Sequence, residues 1–290
     1  MSIDQGKYIC AYTDFGFKRL FGSELNKDIL ISFLNSFLNL KDKIVDLSYL
    51  SLEQLGDLVT DREVIFDVYC KTSDDAYIIV EMQNVAQNYF KDRSIFYRSF
   101  ATRNQALKGV LDYQLKAVYT IGILNFVLEK DSESYRHEVV LYDKVTKCQF
   151  YDKFAYYYFE LPKFTKTEDE LETIQDKWMY AIKNLSALND KPVALKEQVF
   201  TRLFRIAEIA KFSEKEKFAY QGSLKKMWDN SAVLEKSYTD GRNDGKAEGK
   251  VEGKAEEKAE ERLSIAKNLK EIGISPKDIF KATGLKEGEY

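Results

Sequence analysis

Histidine, cysteine and proline are scarce in this chain of 290 residues. The three cysteines, Cys10, Cys70 and Cys148, have no metal-binding spacing and cannot all pair with one another, which indicates a reducing, cytoplasmic compartment. His137 is the only histidine, so a zinc site is disfavoured and histidine-dependent triads have one candidate base with no motif around it. If the chain is an enzyme, we therefore expect carboxylates to perform its chemistry.

Long apolar runs and a strong net charge are also absent. No run reaches the roughly 18–20 apolar residues that span a bilayer, and residues 1–6 lack the basic and then apolar layout of a signal peptide. The formal net charge of −3 gives no general attraction for nucleic acid, so any DNA-binding surface has to be local. Aromatic residues make up 14% of the chain, which is too many for a largely disordered protein.

Hydrophobic periodicity predicts a mixed α/β core followed by helices. Apolar residues recur at helical spacing after Ser23, which we expect to cap a helix, and again across residues 89–108. Alternating or continuous apolar residues predict strands at 44–52, 63–72, 76–84, 117–128, 136–143 and 155–161. Residues 168–188, 195–210 and 214 onward have helical patterns. We therefore expect an α/β core over residues 1–165, a helical region over 166–237 and a charged tail over 238–290.

The tail contains an internal repeat. Gly241, Gly245, Gly249 and Gly253 recur every four residues, with lysines and glutamates at the same spacing. On a helix this spacing stacks each residue type into a stripe, although each glycine costs ~1 kcal/mol relative to alanine. One interpretation is close packing against a partner helix, which predicts a homo-oligomer through the tail; the other is a solvated linker. Beyond the repeat, Gly273, Ser275 and Pro276 predict a break and then a small terminal helix.

Two acidic residues are predicted to face one another across a β-hairpin. Even-numbered positions carry the apolar face of both strands: Val64, Phe66, Val68 and Cys70 in the first, and Ile78, Val80 and Met82 in the second. Pairing these two faces requires a loop with an odd number of residues, which a loop over residues 73–75 satisfies. That register places Asp67 directly across from Glu81, with Gln83 one step along the same face.

Two carboxylates in this position repel one another. Cross-strand neighbours lie ~5 Å apart, where two unit charges repel by ~3 kcal/mol at an effective dielectric near 20, more than the ~0.2–1 kcal/mol of a favourable pair. Protonation of one carboxyl relieves the repulsion, and so does a bound divalent cation. Mg²⁺ accepts carboxylate oxygens together with retained waters. The alternative is another register, in which both acids are ordinary exposed strand residues.

The order of these motifs resembles a known nuclease family. Asp67 followed by Glu81-x-Gln83 on the next strand is similar to the PD-(D/E)xK nuclease signature. Within that superfamily the chain most resembles the recombination-promoting nucleases and transposases. The stretches that carry this resemblance are TDFGFKRLFG at 13–22, IVEMQN at 79–84, AVYTIGILNF at 117–126, ELPKF at 160–164 and KDIFKATGL at 277–285.

The resemblance implies a restriction-endonuclease-like fold for the core and specific roles for its residues. Asp67 and Glu81 would ligate Mg²⁺, with Mn²⁺ or Ca²⁺ as alternatives and the carbonyl of Met82 as a third ligand. Gln83 stands where the superfamily has lysine, and its neutral amide can orient a water or a phosphate oxygen but cannot neutralise charge. Lys18 would supply that positive charge.

The implied activity is metal-dependent endonucleolytic cleavage of double-stranded DNA, in recombination, mobile-element or defence contexts. Lys18, Arg19 and Arg93 are the expected contacts with the DNA backbone, although a structural salt bridge is the alternative for Arg93. Two other functions stay open at this point: a DNA-binding protein that keeps the fold without turnover, and an oligomeric interaction protein that acts through its tail. The net negative charge and the absent lysine favour the first of these.

Overall fold

The computed structural model describes residues 6–51, 53–54, 64–106 and 114–290. The described helices are α1 (Asp14–Phe21), α2 (Lys27–Phe37), α3 (Phe90–Ala106), α4 (Ile174–Asn184), α5 (Gln198–Ala207), α6 (Glu214–Glu271) and α7 (Pro276–Thr283). The described strands are β1 (Leu47–Tyr49), β2 (Glu53–Gln54), β3 (Val64–Ile65), β4 (Val68–Thr72), β5 (Tyr77–Gln83), β6 (Val118–Leu124), β7 (Arg136–Asp143) and β8 (Cys148–Glu160). Residues 52, 63 and 107–108, which the predicted elements included, lie outside the described residues.

Six strands form one mixed sheet in the order β1–β4–β5–β6–β8–β7. Strand β4 pairs antiparallel with both β1 and β5, strands β5, β6 and β8 run parallel to one another, and β7 pairs antiparallel with β8 at the edge. Helix α3 lies on the connection between the parallel strands β5 and β6, which need such a crossover. This mixed sheet with flanking helices confirms the predicted restriction-endonuclease-like α/β fold.

Both faces of the sheet are covered by apolar side chains. On one face, Val68, Val80 and Ile121 belong to a large buried cluster that also takes in α1, α2, α4 and α5, including the fully buried Trp178. On the other face, a smaller cluster joins the sheet to α3 through residues such as Ile79. Because α4 and α5 share the core of the sheet, residues Met1–Trp228 form one compact unit, and Asp229–Tyr290 forms a second. The three-part division at 165 and 237 stays a prediction.

The predicted strand over residues 63–72 is broken at Asp67. The chain bends at Asp67, between β3 and β4. Because of this bend, Phe66 packs with Tyr69 and Phe100 in the cluster against α3. The prediction that Phe66 shares a face with Val68 is therefore wrong.

Two predicted element starts also differ from the structure. Ser23 precedes a short 3-10 turn, Glu24–Asn26, and its side chain makes no capping hydrogen bond, so the predicted helix cap is wrong. Helix α2 begins only at Lys27. Strand β8 begins at Cys148 rather than at residue 155, because β7 and β8 continue as a long hairpin past the sheet core.

A buried carboxylate holds the segment that follows β6. Glu160, at the end of β8, has no exposed surface and accepts hydrogen bonds from the backbone N–H groups of Leu128 (2.9 Å) and Glu129 (3.3 Å). Lys163 Nζ lies 3.0 Å from Glu160 Oε2, and His137 Nε2 lies 2.6 Å from Glu160 Oε1. This network gives the glutamate and lysine of the ELPKF stretch a structural role.

The second unit shows the helix signals predicted for the tail. Gly273 adopts a left-handed conformation (φ 86°) after α6, and Ser275 caps α7 by accepting a hydrogen bond from the Asp278 N–H. Pro276 occupies the first turn of α7, and Gly284 ends it with φ 78°.

The three cysteines are free, two buried and one exposed. Among the described helices, none combines the length and the apolar character that crossing a membrane requires.

Candidate active site

A three-residue turn sets the register of the hairpin that carries the two acids. The Thr72 N–H donates to the Ala76 carbonyl (2.8 Å), which encloses residues 73–75. Asp75 adopts a left-handed conformation (φ 69°), and its carboxylate pairs with Lys71 (2.5 Å) and Lys116 (3.2 Å). Aspartate tolerates this conformation better than most residues, so the turn is compatible with its sequence.

The hairpin register brings Asp67 and Glu81 together as predicted. Val68 pairs with Val80 and Tyr69 with Ile79, so even residues face even residues and odd residues face odd residues. One step beyond the first pair, Asp67 Oδ2 accepts a hydrogen bond from the Met82 backbone N–H (2.8 Å). The predicted register is confirmed. Asp67 precedes β4 and lies beside the C-terminal end of β5, where Glu81 is located.

Glu81 is a buried acid whose charge is poorly compensated. Its residue surface is only 8% exposed, and its Oε1 atom has no hydrogen-bond partner among the described residues. Burial, followed by the negative charge of Asp67, raises the pKa of Glu81 to about 8. Opposing contributions come from the positive charge of Arg93 and from hydrogen bonds donated by the Asp67 backbone N–H and by the Gln83 amide (3.2 Å to Oε2).

Asp67 is perturbed in the same direction. Burial raises the pKa of its carboxyl, and the negative charge of Asp14 adds to the rise. The hydrogen bond from the Met82 N–H and the positive charges of Lys18 and Arg93 oppose it. Two neighbouring acids, one buried and one half-buried, whose pKa values are both raised are typical of functional sites rather than of exposed strand surfaces.

Lys18 lies within electrostatic range of both acids. Its Nζ forms an ion pair with Asp14 (2.8 Å) one helical turn earlier. Burial lowers the pKa of Lys18, but the contact with Asp14 and the negative charges of Asp67 and Glu81 outweigh it, so the net shift is upward. The structure therefore brings Lys18 near the predicted metal site.

The contacts at the start of α1 account for two residues of the TDFGFK stretch, Thr13 and Gly16. Thr13 caps the helix by accepting a hydrogen bond from the Gly16 N–H (3.0 Å). A Cβ atom on Gly16 would lie 2.1 Å from the Cys10 carbonyl oxygen, so only glycine fits. Asn84, at the end of β5, donates a hydrogen bond to the Tyr12 carbonyl and so ties this segment to the strand that carries Glu81.

The two predicted arginine contacts have different surroundings. Arg93 on α3 lies over the Tyr97 ring (5.2 Å), bonds to the Gln87 side chain and acts electrostatically on both acids. Arg19 instead forms an ion pair with Glu216 (2.7 Å) and lies over the ring of Phe212. The structure thus brings Arg93, but not Arg19, to the acidic pair.

Sequence reasoning missed Asp14 and Thr120 as neighbours of the site. Asp14 pairs with Lys18, and its negative charge acts on Asp67. The Thr120 hydroxyl on β6 is buried without a hydrogen-bond partner among the described residues and lines a small cavity beside Glu81. The apolar run around Thr120 gave no signal, because the contact depends on the register between β5 and β6.

The acidic pair fits a divalent cation. Within the described ranges no three residues of the types His, Cys, Asp and Glu come together as a metal-binding cluster. Mg²⁺ needs only one or two carboxylates, since it retains several waters. The facing carboxylates of Glu81 and Asp67 supply oxygen ligands whose charges a cation would offset. Asp67, Glu81 and the Met82 carbonyl are the candidate ligands.

One comparison with known proteins gives a match. The sequence model of a family described as "PD-(D/E)XK nuclease family transposase" matches residues 11–237. The matched region includes the α1 segment, the hairpin with both acids, α3 and the buried Glu160. No curated protein and no solved structure matches the chain.

Proposed function

The chain belongs to the PD-(D/E)XK nuclease family of transposases, and on that premise we propose that it is a metal-dependent endonuclease that hydrolyses phosphodiester bonds in double-stranded DNA. The observation that carries this proposal is the buried Glu81 carboxylate beside that of Asp67, two acids whose mutual repulsion a divalent cation would relieve. A recombination, mobile-element or defence setting in the cytoplasm is part of the same proposal.

Asp67, Glu81 and the carbonyl of Met82 would hold the ion, with Mg²⁺ as the first choice and Mn²⁺ or Ca²⁺ as alternatives. When bound, a divalent ion offsets negative charge on the phosphoryl group and lowers the pKa of a water that it holds. The hydrogen bond from the Met82 N–H keeps Asp67 Oδ2 in place at 2.8 Å. Because the Gln83 amide donates to Glu81 Oε2, Gln83 would orient the glutamate in addition to any contact with substrate.

Positive side chains around the acids would position the DNA backbone. Lys18 is 38% exposed, so it is available to a phosphate at the edge of the site. Arg93 would do the same from α3. Arg19 already pairs with Glu216, so we propose that its part in DNA binding is indirect, through the placement of α1.

A plasmid-nicking assay tests the proposed activity. Purified full-length protein is incubated with supercoiled DNA and Mg²⁺, Mn²⁺ or Ca²⁺, beside Asp67→Asn and Glu81→Gln. The matched control is Asp74→Asn, an exposed acid at the tip of the same hairpin. We expect both site variants to lose at least ~100-fold in rate, the size typical of losing charge stabilisation at a reacting group, and the control to cut normally.

Other outcomes would point to other functions. Cutting that persists in both site variants would reject this site, and DNA binding without metal-dependent cutting would favour a non-catalytic DNA-binding protein. Filter binding at rising salt concentration measures how steeply DNA affinity falls with salt. Removing a side chain that contacts a phosphate should make this fall less steep.

The role of Lys18 has a test of its own. Lys18→Met keeps most of the side-chain length and removes the charge, and Lys215→Met on the exposed surface of α6 is the control. We expect Lys18→Met to slow cleavage by ~10-fold or more while the melting midpoint stays unchanged, because an exposed ion pair contributes little to stability. Equal rates for both variants would remove Lys18 from the site.

We also propose that the tail forms the contact of a homo-oligomer. The four glycines of the repeat lie on α6, and a Cβ atom on any of them would meet nothing within 4 Å. Residues 229–262 of this helix are exposed throughout, so its glycine and charge stripes are available to a second helix.

The oligomer is tested by changing the glycine stripe without weakening the helix. Glutamine at positions 241, 245, 249 and 253 raises helix propensity but prevents close approach of another helix. The control places glutamine at Ala247 and Ala255 on a different stripe. Light scattering should show a lower mass only for the glycine variant; monomeric wild-type protein would reject the proposal.

A further inference from the structure

A small cavity lies beside Glu81, on the side of β6. Its volume is about 10 Å³, and its lining includes Glu81, Thr120, Gly122 and Tyr158. Among the described residues, Asp67 does not contribute to this lining. Since β4 and β6 flank β5 on opposite sides, the cavity and Asp67 lie on opposite sides of the glutamate.

The sheet register explains why this space is left open. Gly122 lies next to Glu81 across the parallel β5–β6 pair, and Tyr158 lies next to Gly122 on β8. A Cβ atom on Gly122 would come within 2.8 Å of the Tyr158 ring, so the glycine is needed for the ring to pack there. No side chain at position 122 therefore fills the gap beside the Glu81 carboxylate.

Two buried oxygens of this cavity lining lack hydrogen-bond partners among the described residues. They are Glu81 Oε1 and Thr120 Oγ1. Buried polar atoms in folded proteins are nearly always paired, either with protein groups or with ordered water. Tyr158 and Ser94, whose hydroxyls share a hydrogen bond, line the same space and add polar side chains to it. A volume of about 10 Å³ with two to four polar neighbours is what a single buried water requires.

We propose that one ordered water occupies this cavity, hydrogen-bonds to Glu81 Oε1 and Thr120 Oγ1, and makes Thr120 a positioning residue for the metal-binding carboxylate. The water donates to the glutamate, and the Thr120 hydroxyl holds the water in place. The carboxylate is then fixed in the orientation that directs its remaining lone pairs toward Asp67. The positioning role, although not the water itself, rests on the proposed function.

Thr120→Val and Thr120→Ser separate the hydroxyl from the shape of the side chain. Valine keeps the volume and removes the partner of the water, whereas serine keeps the hydroxyl. Affinity for Mn²⁺ is measured on the full chain by electron paramagnetic resonance, independently of cleavage. Loss of a group that orients a metal ligand typically costs about 10–100-fold in metal affinity, so we expect this loss for valine and near wild-type affinity for serine.

The metal affinity of Thr120→Ala and a crystal structure test the proposal further. Thr120→Ala leaves room for a second water in place of the hydroxyl, so its loss of affinity should be smaller than that of valine. A crystal structure of the metal-free wild-type protein should show one water between the two oxygens. An empty cavity, a direct Glu81–Thr120 hydrogen bond, or unchanged affinity in Thr120→Val would overturn the proposal. Wild-type protein that binds no Mn²⁺ or Mg²⁺ would instead overturn the proposed function, while the electron density would still decide whether the water is present.

Discussion

Replacing Glu81 with glutamine should change how the stability of the metal-free protein depends on pH. In the folded protein, burial and then the charge of Asp67 raise the pKa of Glu81 from 4.5 to about 8. Between these two pH values the folded state keeps a proton on Glu81 that the unfolded state has released. The unfolded state binds fewer protons, so the free energy of unfolding falls as the pH rises through this window.

The size of the effect follows from the two pKa values. Each pH unit corresponds to about 1.4 kcal/mol, so the free energy of unfolding should decrease by on the order of 5 kcal/mol between pH 4.5 and pH 8. Glutamine does not titrate, so Glu81→Gln should lack this decrease. A metal that binds the ionised carboxylate competes with the proton, and its affinity should rise about tenfold per pH unit below pH 8.

Urea unfolding in the presence of a chelator measures the effect. The fluorescence of Trp178, which has no exposed surface, reports on unfolding of the first unit. The free energy of unfolding is compared between wild type and Glu81→Gln at about pH 5, pH 6.5 and pH 8, with Asp74→Asn as the control for an exposed acid. A difference between wild type and Glu81→Gln that stays constant across this range would refute the assignment of a raised pKa to Glu81.

Three other changes test the packing around the site and the metal itself. Gly16→Ala should lower the free energy of unfolding by about 1–3 kcal/mol in thermal unfolding, since its Cβ would lie 2.1 Å from a backbone oxygen. Gly222→Ala is the control, because it has open space around it and should not lower stability. Equal stability of the two variants would contradict the close approach at Gly16. Glu160→Ala should cost about 3–5 kcal/mol in urea unfolding because it leaves buried partners unpaired, and the exposed Glu133→Ala should cost less than ~0.5 kcal/mol. Mg²⁺ at about 100 times its Kd should raise the free energy of unfolding by ~2.7 kcal/mol, and a rise that persists in Asp67→Asn would place the ion elsewhere.

The hairpin with the two acids could be predicted from the sequence because the residues that determine its register lie close together in the chain. Alternation of apolar residues fixes which side chains share a face, and a short turn allows few registers, so the register from Val68–Val80 to Lys71–Tyr77 follows from parity and brings residue 67 close to residue 81. The caps around α7 were predictable for the same reason, since Ser275, Pro276 and Gly284 act within a few residues of their own positions.

Contacts between distant segments could not be predicted in this way. Arg19 and Glu216 are 197 residues apart, and nothing in the local pattern indicates that they form an ion pair. The hydrogen bonds of the Glu160 carboxylate and the position of Thr120 likewise depend on strand order and parallel register. Phe66 was misplaced because a bend at Asp67 reverses the alternation that strand periodicity assumes.

The turn over residues 73–75 limits how this hairpin can vary in evolution or by design. Inserting or deleting one residue there, with β4 unchanged, would exchange the two sides of β5 and send the Glu81 side chain into the apolar layer beneath α1 and α2. Length changes of two residues would preserve the facing acids. Relatives that retain cleavage should therefore show turn lengths that differ by even numbers, and a library of turn insertions should divide into active and inactive members by parity alone.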